Sequence, residues 1–103
     1  MTDWGLLTIH ARTLMCIAHD PDVRLRDIAL QLGVTERSVH RVVNDLAEAG
    51  YVVKDKGGDG RRNRYAIQGQ LPLEGTIGRP RTIGDMLEIL VDVRPEPVGR
   101  GAK

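Results

Sequence analysis

Arg26-Asp27-Ile28-Ala29-Leu30-Gln31-Leu32-Gly33-Val34-Thr35-Glu36-Arg37-Ser38-Val39 carries the pattern of two helices joined by a tight turn. Two helices that cross steeply through a short turn need three things: a small residue where the backbones approach, a residue free to take positive φ in the turn, and an apolar knob on the second helix. Ala29, Gly33 and Val39 meet these needs, four and then six residues apart, and Ile28, Leu32 and Val34 are the further core contacts of such a unit. The spacing predicts one helix from about Asp27 to Leu32 and a second capped by Thr35. In the second, Val39, Val42, Val43 and Leu46 recur at i, i+3, i+4, i+7 and Gly50 marks the end.

Downstream, Tyr51 and Val53, then Tyr65 and Ile67, alternate with period two, as expected of two antiparallel strands with one buried face. Lys56-Gly57-Gly58-Asp59-Gly60-Arg61 is the loop between them. Upstream, Thr8 caps a helix with Ala11, Leu14, Met15 and Ala18 at helical spacing, ending near His19 because Asp20-Pro21 disfavours continuation. Between these two, Val23 and Leu25 alternate with Arg24 and Arg26, which suits a very short strand or extended arm before Asp27.

Beyond the hairpin, Pro72, Gly75, Gly78 and Pro80 interrupt any periodicity, so this segment is a connector. Thr82 and Asp85, spaced as a capping box, then open a short amphipathic helix with Ile83, Met86, Leu87, Leu90 and Val91 on one face. The expected architecture is mainly α with a small β-hairpin wing: a winged helix-turn-helix with a three-helix core plus a short C-terminal helix. Residues 1–68 form the winged domain, 69–81 the connector, 82–92 the C-terminal helix and 93–103 a disordered tail too poor in apolar surface to offset its ordering entropy.

Charge agrees with this layout. The 103-residue chain is only +1 overall, yet residues 50–81 hold seven basic side chains (Lys54, Lys56, Arg61, Arg62, Arg64, Arg79, Arg81) against three acidic ones, so the remainder is −3. A polyanion responds to local charge within a Debye length, so this asymmetry permits a nucleic-acid partner. With Trp4, Tyr51 and Tyr65 the only aromatics, stacking on unpaired bases has little to work with, which favours duplex over single strand.

Burying the valine and leucine stripe turns Glu36, Arg37, Ser38, His40, Arg41 and Asn44 outward, with Thr35 at the helix start. Arg37 or Arg41 can fork two donors onto guanine, Asn44 can pair with adenine, and Ser38 suits a phosphate. His40 is expected to be a contact only. Asp45 and Glu48 lie toward the end of the helix that leaves a groove. The wing adds Lys54, Lys56, Arg61, Arg62 and Arg64 against Asp55 and Asp59, a net of +3 suited to flanking phosphates or the minor groove.

Other classes find less support. Cys16 alone, inside the apolar run Leu14-Met15-Cys16-Ile17-Ala18, excludes a disulfide framework and is expected to be a buried thiol in a reducing compartment. No run approaches the roughly 18 apolar residues of a membrane span, and a cytoplasmic location is expected. His10, His19 and His40 have no zinc-ligand spacing and no Ser or Cys has a base and an orienter, so no catalytic, metal or cofactor site is expected. The competing reading is a winged-helix protein interaction module whose hairpin and third helix meet an acidic protein surface.

Arg26-Asp27-Ile28-Ala29, Gly33-Val34-Thr35-Glu36-Arg37-Ser38-Val39, Asp45-Leu46-Ala47-Glu48-Ala49-Gly50-Tyr51 and Gly60-Arg61-Arg62-Asn63-Arg64-Tyr65 together resemble MarR-type winged-helix regulators, the short actinobacterial kind in particular. The similarity runs from Trp4 to about Leu90. It implies sequence-specific duplex DNA binding and transcriptional control, usually as a symmetric dimer. Arg37, Arg41 and Asn44 match the reading face, and Arg61, Arg62 and Arg64 the wing. The long flanking helices that build the dimer interface and effector pocket of full-length members are lacking, so the resemblance leaves a small-molecule effector unsupported. An isolated helix as short as 82–92 is unstable in water, so its apolar face must dock. The expected partner is a second copy, through Ile83, Met86, Leu87, Leu90 and Val91 together with Trp4, Leu6 and Leu7.

Overall fold

The computed structural model describes residues 5–56 and 63–92, with the backbone alone for 55, 56 and 63. Trp4, Arg61, Arg62 and the tail 93–103 lie outside the described residues, as do their expected roles. The elements are α1 (Ile9–His19), α2 (Leu25–Leu32), α3 (Glu36–Glu48), β1 (Val52–Lys56), β2 (Asn63–Ile67) and α4 (Ile83–Val91). This is a mainly helical winged helix-turn-helix.

Helix α1 starts where the Thr8 hydroxyl accepts from the Ala11 N–H at 3.1 Å, and it ends at Asp20, whose backbone is extended ahead of Pro21. It buries Leu14, Cys16, Ile17 and Ala18. Thr13 is also fully buried, and among the described residues its hydroxyl has no hydrogen-bond partner.

Helix α2 begins at Leu25, two residues before the expected start, and no strand forms across Val23 and Leu25. Arg24 takes the extended N-cap conformation and its carbonyl accepts from the Asp27 and Ile28 N–H groups at 2.9 and 3.0 Å. Asp27 therefore sits inside the first turn, where a carboxylate complements the helix dipole, rather than at the cap. The expected strand or arm is not formed; ahead of it, the Tyr65 N–H donates to the Pro21 carbonyl at 3.4 Å.

Gly33 closes α2 in the left-handed region, at φ 73°, and its N–H and that of Val34 return to the Ala29 carbonyl. A side chain there would be strained, so glycine lets the chain reverse into α3 within three residues. Thr35 caps α3 by accepting from the Ser38 N–H at 3.0 Å, and Val39, Val42, Val43 and Leu46 are all buried.

The inward residue of β1 is Val52, not Val53. Gly50 at φ 86° and the Tyr51 N–H bonded to the Leu46 carbonyl complete the reversal after α3, so the strand begins one residue later in phase than the alternation read from Tyr51. The register pairs Val52 with Ile67 and Lys54 with Tyr65, which buries Val52, Tyr65 and Ile67 and leaves Val53 exposed.

The connector is ordered into a hairpin-like loop. Pro72 bridges Thr82, the Leu73 N–H donates to the Arg81 carbonyl, and the Ile83 and Gly84 N–H groups donate to the Leu71 and Gly69 carbonyls. At the start of α4 the Thr82 hydroxyl accepts from the Asp85 N–H while the Asp85 carboxylate accepts from the Thr82 N–H, both at 3.0 Å.

The apolar face of α4 docks on its own domain, against the expectation that a partner would cover it. Leu87 is 0% exposed and Ile83 3%, both in the same core as α1, α2, α3 and the sheet, with Met86 and Val91 half-buried against it. The connector is pinned by these bonds, and α4 packs on α1 of the same chain. Leu90 and Ile89 stay outside.

Candidate nucleic-acid interface

The outer face of α3 follows from its inner one. A helix that buries positions 39, 42, 43 and 46 must present 37, 41 and 44 together on the opposite side, since residues three and four apart share a face. Arg37, Ser38, His40, Arg41 and Asn44 line one open depression of about 410 Å³ on that side. Five of the seven residues expected to read DNA from α3 are therefore gathered in one place, and Thr35 and Glu36 lie outside the lining.

Hydrogen bonding separates these side chains by availability. The Thr35 hydroxyl both accepts from the Ser38 N–H and donates to Ser38 Oγ at 3.0 Å, so its proton is spent within the cap. Ser38, by accepting there, keeps its own O–H to donate outward. Asn44 Nδ2 and His40 Nδ1 lie 3.5 Å apart, a contact long enough to yield to a better partner. Among the described residues no carboxylate pairs with Arg37 or Arg41, both of which are exposed.

At the far end of α3, Asp45 Oδ2 meets His10 Nε2 at 3.0 Å. The pair ties the acidic end of α3 to α1 and keeps that carboxylate beside a histidine rather than beside the arginines. Beneath, Cys16 donates from Sγ toward Gln31 Oε1 at 3.7 Å. Burial pushes its thiol pKa up, and the Arg12 charge only partly offsets this, so the thiol stays protonated and inert.

The wing contributes less freely than α3. Lys54 and Arg64 are exposed on the paired strands, and Arg64 Nε lies 3.3 Å from Asp22 Oδ1 in the loop between α1 and α2. The side chains of Lys56, Arg61 and Arg62 lie outside the described residues. Asp22 carried no signal in the sequence, because its role depends on a contact across more than forty residues. His10 carried none either, since its partner Asp45 lies 35 residues away.

A sequence model of the MarR family matches residues 4–62, more than half the chain, from the N-terminal segment through the three helices and into the wing. The chain belongs to the MarR family. No curated protein and no solved structure matches it. Members of the family are DNA-binding transcription regulators rather than enzymes, and in that general sense so is this MarR-family protein. Among the described residues no group of three or more metal-binding side chains is assembled, and no helix is long and apolar enough to cross a membrane. The match ends at residue 62, so β2, the connector and α4 of this MarR-family chain lie beyond the matched region.

Proposed function

We propose that the protein binds duplex DNA sequence-specifically, with α3 in the major groove and the wing on the flanking backbone or minor groove, and controls transcription as a homodimer. The observation that carries this reading is the gathering of Arg37, Ser38, His40, Arg41 and Asn44 on one exposed face with both arginines unpaired among the described residues. That face offers bidentate donors for guanine, an amide for adenine and a hydroxyl for phosphate, the chemistry major-groove edges require. Lys54, Lys56, Arg61, Arg62 and Arg64 supply the phosphate contacts of the wing.

In the dimer, two copies of α3 lie about 34 Å apart on one face of the duplex. Because Ile83 and Leu87 serve the protein's own core, the contact falls to the apolar side chains left outside, Leu90 and Ile89 on α4 and Leu6 and Leu7 ahead of α1, the helix on which α4 packs. The protein works without a cofactor, in the cytoplasm.

Fluorescence anisotropy on a labelled duplex at two salt concentrations tests the reading. If six or more phosphates are neutralised, affinity falls about a thousandfold or more between 50 and 200 mM salt. Binding that is flat across this range would point to an acidic protein surface as the partner of α3 and the wing.

A further inference from the structure

Asp22 lies outside the matching face of α3 and outside the wing, yet it touches a wing arginine. Two contacts join the α1–α2 loop to β2: the Tyr65 N–H to the Pro21 carbonyl at 3.4 Å, and Arg64 Nε to Asp22 Oδ1 at 3.3 Å. Loop residues 21 and 22, in the turn after α1, meet strand residues 65 and 64, so the loop lies against the edge of β2. Tyr65 is buried and anchors that edge, which brings the two charged side chains together from opposite sides of one fixed seam.

A carboxylate and a DNA phosphate are alternative ligands for the same guanidinium, each accepting charge-assisted N–H bonds. Both side chains of the pair are 55% exposed, so a phosphate reaches Arg64 without burying charge, and the pair is weak enough to give way. We propose that Asp22 is an internal competitor for Arg64: it occupies the guanidinium in the free protein, yields it to a phosphate on binding, and so lowers the wing's grip on arbitrary duplex. The inference rests on the proposed duplex binding. It makes Asp22 a residue that sets how tightly the wing holds duplex of any sequence, because a phosphate carries no sequence information.

The test is a four-way comparison of wild type, Asp22→Asn, Arg64→Ala and the double variant, by anisotropy on a labelled random-sequence duplex at one fixed salt. Both side chains are exposed, so each variant keeps the fold, which circular dichroism checks. Asp22→Asn is expected to bind up to about fivefold tighter in the wild-type background, the range of an exposed ion pair. It is expected to change nothing in the Arg64→Ala background. An equal gain in both backgrounds overturns the proposal, since Asp22 would then act only as a negative charge near DNA. A weaker Asp22→Asn variant overturns it too, since Asp22 would then aim Arg64 at the phosphate. If wild type binds with steep salt dependence and Asp22→Asn is unchanged, only this inference falls. If wild type binds no duplex, both it and the proposed function fall.

Discussion

Helices α3 and α4 are built to the same inward plan and differ on the outside. Each is capped by a threonine whose hydroxyl accepts a backbone N–H three residues on, and each buries a stripe at helical spacing in one shared core. The outer face of α3 carries Arg37, Arg41 and Asn44, whereas that of α4 carries Ile89 and Leu90. The difference teaches that burial decides where a helix sits, and the residues it does not bury decide what it meets. One helix leaves cations and an amide exposed, the other two large apolar side chains.

The comparison breaks first at the core. Leu87→Ala removes a fully buried side chain of α4 and is expected to cost about 3 kcal/mol. Thermal or urea unfolding checks this at several protein concentrations. A cost that shrinks to nothing on dilution would mean that α4 is held by a partner rather than by α1.

Arg41→Ala acts on the other side of the same contrast. It is expected to leave the melting temperature in place while costing about 1 to 3 kcal/mol in binding to a cognate duplex selected from random sequences, with relaxed base preference at one position. A uniform loss over all sequences would make Arg41 a phosphate contact.

The caps give the smallest and sharpest comparison. Thr82→Ala removes one half of the α4 capping box and is expected to destabilise the fold by about 1 kcal/mol without changing DNA affinity. Thr35→Ala is expected to cost a similar amount and to weaken DNA binding as well, because the same hydroxyl positions Ser38. Equal effects on binding would remove the distinction between the helices.

How much of this was legible beforehand follows the reach of each interaction. The three-helix order, the Gly33 turn and the threonine caps at Thr8, Thr35 and Thr82 depend on contacts within four or five residues, and they lie where the pattern placed them. The face of α3 was legible for the same reason, since its polar side is dictated by its apolar one. Val53 was misplaced because strand phase is set by the turn at Gly50, and a one-residue shift exchanges the two faces of a strand. The start of α2 was misplaced because alternating Val23 and Leu25 fit an arm and a helical first turn equally well.

The sequence alone determined the local chemistry: which segments coil, where they cap and turn, and that arginines and an asparagine come to share one side of α3. Only the tertiary structure decided that α4 completes its own chain's core, that His10 holds Asp45 and that Asp22 reaches Arg64. The reason is physical. Helical periodicity is enforced by hydrogen bonds between near neighbours, whereas the choice between one's own domain and another molecule, or between two oppositely charged loops, depends on distances that exist only once the chain has folded.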